Sequence, residues 1–161
     1  MAVSLAASGL QAQTSIVEAK AKFIYNFTKF FEWSHSESNG DFVIGVLGAN
    51  DVYQEVKDFT SGKKVINRDI QVERFRAAEN VTNCHILFVS GDQTNKLPDL
   101  NERLASNTLL ISESEKGIDQ GAALNFVLED ERLSYEFAPS QAKDKGLKFS
   151  SRIQDMASKN Y

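Results

Sequence analysis

Over residues 20–33 the sequence KAKFIYNFTKFFEW places large apolar side chains at helical spacing. On a 3.6-residue period Ile16, Ala19, Phe23, Phe27, Phe30 and Phe31 share one face. Glu18, Lys22, Tyr25, Lys29 and Glu32 share the other. The spacing predicts an amphipathic helix whose stripe the rest of the chain must cover, because each buried Phe is worth about 1.5–3 kcal/mol. Such a helix leaves Tyr25 and Trp33 outside. They are the candidate contacts for a partner, since Tyr and Trp often anchor interfaces.

After a polar, glycine-containing loop at 34–41 the pattern shortens to strand length. Residues 42–47 (FVIGVL) form a continuous apolar run and read as a strand buried on both faces. Asp51 and Gln54 have the spacing of a capping box that opens a helix through Phe59, with Val52, Val56 and Phe59 inward and Gly62 at its end. Residues 70–75 (IQVERF) alternate and read as a second strand nearer an edge. Residues 84–90 (CHILFVS) form a third strand. Pro98 suits the first turn of the next helix, with Leu97, Leu100 and Leu104 facing inward. Residues 108–112 (TLLIS) form a fourth strand.

Strands alternating with helices predict a mostly parallel sheet flanked by helices, an α/β fold of Rossmann-like type. Near Gly121 the rhythm changes. Residues 123–128 (ALNFVL) and 133–137 (LSYEF) are separated by only four residues, which implies an antiparallel C-terminal hairpin. Pro139 opens a short helix that stops at Gly146. In the tail, Ser150 or Ser151 is a cap, and Ile153, Met156 and Ala157 dock on the body.

Length and composition add boundaries. The chain has 161 residues, which suits one domain, taken here as 14–161. Its net charge of -4 offers no large basic field for nucleic acid. No apolar run approaches the roughly 20 residues that span a bilayer. Residues 1–13 read as the end of an export signal or as a disordered N-terminus: an apolar section to Leu10, then the small residue Ala12. On the export reading the domain works outside the cytoplasm. Cys84 is the sole cysteine, so an intrachain disulfide is impossible and a structural zinc site is disfavoured.

Candidate chemistry is sparse. In open α/β sheets ligands lie beyond the carboxyl ends of the strands. Gly48, Asn50, Ser90, Gly91 and Ser112 collect at that edge, where backbone N–H groups could cradle an anion. The dinucleotide and phosphate-loop fingerprints are both missing, so no cofactor is expected. Cys84 and His85 are adjacent on a strand and point to opposite faces, which separates them as a nucleophile–base pair. His85 fits better as a hydrogen-bonded histidine at a strand start. Glu129, Asp130 and Glu131 read as a solvated turn rather than a cation site. Asn125, between Leu124 and Phe126, either satisfies buried backbone groups or lines a pocket. No catalytic or metal-ligating constellation emerges.

The blocks KAKFIYNFTKFFEW, FVIGVLG, NCHILFVS, GAALNFVLEDERLSYEF and GLKFSSRIQDMA, in this order, resemble the YfiR family of periplasmic proteins. The similarity runs from about Val17 to Ala157. The resemblance implies a Rossmann-like domain that is a regulator and not an enzyme. It implies repression of an inner-membrane diguanylate cyclase through the cyclase's periplasmic sensor part, lowering cyclic di-GMP synthesis and biofilm formation. It also brings a possible homodimer and a possible small-molecule ligand. Relatives with that role carry paired cysteines, and a chain with Cys84 alone cannot copy that pairing.

Overall fold

The computed structural model describes residues 3–33, 40–104 and 106–161. The first helix, α1 (Val3–Phe27), reaches back through the stretch read above as an export signal. It ends earlier than the aromatic period suggests. The Thr28 hydroxyl donates to the Tyr25 carbonyl at 2.6 Å and the Thr28 N–H to the same oxygen at 3.1 Å, which closes the last turn. Phe30 and Phe31 are therefore not part of the helical stripe. Phe31 instead opens a two-residue strand, β1 (Phe31–Glu32), paired antiparallel with β9 (Lys148–Phe149). The loop expected at 34–41 lies mostly outside the described residues.

Among the described residues the main sheet has eight strands. In chain order they are β2 (Phe42–Leu47), β3 (Lys64–Val65), β4 (Arg68–Phe75), β5 (Ile86–Val89), β6 (Leu109–Ser112), β7 (Leu124–Glu129), β8 (Arg132–Phe137) and β10 (Lys159–Asn160). Their spatial order is β10-β8-β7-β6-β5-β2-β4-β3. Strands β4, β2, β5, β6 and β7 run parallel, and β7–β8 is the antiparallel hairpin that the short link demanded. The helices are α2 (Asn50–Thr60), α3 (Leu97–Arg103), α4 (Pro139–Asp144) and α5 (Arg152–Asp155). The chain turns back on itself after β4, so the topological switch lies between β2 and β5.

The sheet buries both faces, as the unbroken apolar strands required. On one side Phe42, Ile44, Val46, Ile86, Phe88 and Phe126 meet Ile24 and Phe27 of α1 and Val52 and Val56 of α2. On the other, Leu47, Leu87, Val89 and Leu110 meet Leu97 and Leu100 of α3. Cys84 is buried on this second side, which pushes its thiol up to about 12 and leaves it uncharged.

Two further local expectations fail. Asp51 does not cap α2; Ala49 occupies that position, and the Asp51 carboxylate accepts from the Val52 N–H at 2.8 Å within the first turn. Met156 does not dock: it is 49 % exposed, whereas Ile153 is fully buried.

Candidate functional site

The switch between β2 and β5 brings Gly48, Asn50, Ser90 and Gly91 to one end of the sheet, because Gly48 and Ser90 directly follow the carboxyl ends of their strands and Asn50 and Gly91 open the helical segments after them. Gly48 turns the chain with φ +94, and a Cβ there would run into the Ser90 hydroxyl. Asn50 is exposed at the start of α2. The Ser90 hydroxyl is turned to the Asp92 carboxylate and holds that acid below its ordinary range.

The Gly91 N–H donates to Glu113 Oε1 at 3.3 Å. The same carboxylate is ion-paired with Lys20 Nζ, which reaches down from α1. An internal carboxylate thus stands where an anion would meet the backbone N–H. Its cation is supplied from far away in sequence, so no local motif announces it.

Ser112, at the end of β6, belongs to a separate buried network. Its hydroxyl donates to Asn125 Oδ1 at 2.7 Å, and the Ser114 N–H donates to the same oxygen at 2.9 Å. Asn125 Nδ2 donates to Glu136 Oε2 at 3.2 Å, and Tyr161 Oη donates to Glu136 Oε1. Gly117 lies so close to Ser112 and Asn125 that a Cβ would overlap both. Of the two roles open to Asn125 in sequence, the structure shows it satisfying buried groups.

Tyr25 and Trp33 are both half-buried. Tyr25 packs edge-on to Phe59 of α2, with Lys29 Nζ 5.0 Å and Lys63 Nζ 5.9 Å from its ring centre. Lys63 also sits 4.5 Å over Phe59. Trp33 is more deeply engaged. Its Nε1–H donates to the His85 carbonyl at 3.1 Å, and its ring meets Phe42 edge-on at 4.9 Å.

His85 stacks on Phe42 at 4.5 Å, and its Nδ1 accepts the Val43 N–H at 3.0 Å. That bond needs a bare Nδ1, so the ring is neutral with its proton on Nε2. Burial, then the nearby Arg68 charge, pull its pKa from 6.5 down to about 4. The unfolded chain takes up this proton near 6.5 and the folded chain only near 4. The contribution is therefore present above 6.5 and lost as pH falls towards 4. For a half-exposed ring screened by solvent, the loss is about 1 kcal/mol. Urea unfolding of the wild type and His85→Gln at pH 7.5 and pH 4 is the check. The stability gap between them should shift against the wild type at pH 4, and a gap independent of pH would refute the assignment.

Among the described residues no group of three or more His, Cys, Asp or Glu side chains is placed to hold a metal ion, and no helix is long and apolar enough to cross a membrane. No curated protein gives a significant match to the sequence. A family model described as YfiR/HmsC-like matches residues 17–158, from within α1 to the residue before the last strand of the sheet, β10. With nearly the whole described fold inside that match, the chain belongs to the YfiR/HmsC-like family.

Proposed function

We propose that this chain is a periplasmic regulatory protein that acts by binding. In this reading it holds a membrane signalling protein, such as a diguanylate cyclase, in its inactive state through that protein's periplasmic sensor part. The family membership carries the reading, because periplasmic regulation of a diguanylate cyclase pathway is the family's theme. The internal state of the switch-point edge supports it, since Glu113 and Asp92 already engage the groups a ligand would use. In this reading residues 1–13 are the end of an export signal. Release under an envelope signal requires the signal to favour the free form by a difference in affinity.

Tyr25 is the first contact to test, because the Trp33 indole N–H is spent on the His85 carbonyl. The experiment is affinity capture from envelope extracts with the tagged domain, wild type against Tyr25→Ala. The expected result is a membrane protein with a signalling output, recovered by the wild type and several-fold less by the variant. Recovery of nothing above background by the wild type would overturn the regulator reading. Equal recovery by both would remove Tyr25 from the contact surface.

A further inference from the structure

Strand β4 pairs with β2 along residues 70–75, and the Phe75 carbonyl accepts the Gly48 N–H at 3.2 Å. Backbone groups alternate sides along a strand. Those of Phe75, Glu73 and Gln71 therefore point to β2, and those of Arg74 and Val72 point outward. On the outer side β3 pairs only with Arg68 and Asp69. Among the described residues no strand lies beyond Val72 and Arg74, so the sheet ends there in an open backbone edge.

A groove of about 390 Å³ runs along this edge, lined in part by Lys57, Lys63, Asp69 and Val72. Asp69 is ion-paired with Lys64, which leaves Lys57 and Lys63 to set the sign of the groove. Arg74 is exposed farther along the same edge. In a chain of net charge -4 this border is locally positive. Lys63 also joins the groove to the Tyr25–Phe59 contact.

The β3–β4 turn adds an independent observation. Ile66 and Asn67 have φ +47 and +65, the type I′ arrangement. A β-branched residue is a strained occupant of that region, and Ile66 is also 75 % exposed. Backbone and solvent both disfavour it, and such strain collects at binding sites.

We propose that the outer edge of β4 at Val72 and Arg74 docks an extended, acidic segment of a partner protein. The segment adds as a further strand, with its acidic side chains at Lys57 and Lys63 and, where it runs on past the outer side of β3, an apolar side chain against Ile66. A second copy of the chain is a poorer occupant, because edge-to-edge pairing would oppose two lysine-lined grooves. The inference rests on the reading of the chain as a regulator that acts by binding.

The test is to pan a random peptide phage library on the immobilised full chain, then measure binding of the recovered peptides. They should be rich in Asp and Glu alternating with Val, Ile or Thr, and should bind more weakly as salt rises. Bound peptide should slow amide exchange at Val72 and Arg74. Arg74→Pro removes an outward N–H from an exposed position and should weaken binding about tenfold or more at an unchanged Tm. The Lys57→Glu/Lys63→Glu pair should do the same without touching the backbone, and Ile66→Gly should raise Tm while weakening binding.

Peptides without acidic bias, no recovered binder, or protection elsewhere would overturn the proposal. So would β4 protection that rises with protein concentration alone, which would indicate a second copy. The envelope capture separates the two ideas. If Arg74→Pro retains a captured membrane protein as well as the wild type does, the edge proposal falls and the regulator reading stands. If the wild type captures none while acidic peptides bind the edge, the regulator reading falls alone.

Discussion

Phe27→Ala is expected to lower stability by about 3–5 kcal/mol, the largest loss for any single side chain of α1. Phe27 is 1 % exposed at the end of the helix. Its ring stacks on Phe23 at 5.9 Å and on Phe126 at 6.2 Å, and meets Tyr135 edge-on at 5.2 Å. The cost combines lost apolar burial, a cavity that strands β7 and β8 cannot fill, and three aromatic contacts of about 0.5–1.5 kcal/mol each that overlap with that burial. At about 2–4 °C per kcal/mol for a chain of this size, Tm should fall by about 6–20 °C. Tyr25→Ala, two residues away on the half-buried side, should lose about 1 kcal/mol. Thermal and urea unfolding of both variants provide the comparison. A Phe27→Ala loss no greater than that of Tyr25→Ala would mean that α1 is not the cover over this face of the sheet.

The same residues show how far the sequence could be read. The stripe that put Phe23 and Phe27 in the core is a local signal, and both pack there. Phe31 fits the same helical period and is also buried, but it is buried as a strand residue against Phe149 and Phe137. Burial periodicity cannot separate those two cases when the competing strand is only two residues long. What ends the helix is the Thr28 hydroxyl closing on Tyr25, a signal too common to act on alone.

Strands β2 and β7 were legible because their apolar runs are long and bounded by turn residues. The turns at Gly48 and Ser90–Gly91 were legible because the alternation of strands and helices fixes which strand ends converge. What fills the site there was not. Glu113 meets Lys20 across 93 positions, and only the folded topology brings them together. The alternation at 70–75 placed β4 near an edge, but not that the edge is open: that depends on how short β3 is, and β3 ends in a turn with Ile66 at positive φ, where sequence preference favours Asn or Gly.

Asn125→Leu is the second large effect, expected at about 2–4 kcal/mol despite a gain in apolar character. Asn125 is 1 % exposed in β7, between core residues Leu124 and Phe126. Its Oδ1 is the acceptor for both the Ser112 hydroxyl and the Ser114 N–H, and leucine leaves the buried hydroxyl and the part-buried N–H without it. Asn125→Asp separates this polar debt from simple packing. The carboxyl group keeps an acceptor for Ser112 and Ser114, and when protonated it can donate to Glu136 in place of Nδ2. When ionised it faces the Glu136 carboxylate from a buried position, so its folded pKa is raised above the ordinary aspartate value. A raised folded pKa means that its contribution is present below about pH 4 and lost as pH rises through the folded value. The Asn125→Asp protein should therefore approach the wild type measured at pH 4 and fall well behind it at pH 7.5, while the Asn125→Leu deficit should change little between them. Urea unfolding of all three proteins at the two pH values decides it. An Asn125→Leu protein as stable as the wild type would show that Ser112 and Ser114 find other partners, and that the network serves something other than the fold.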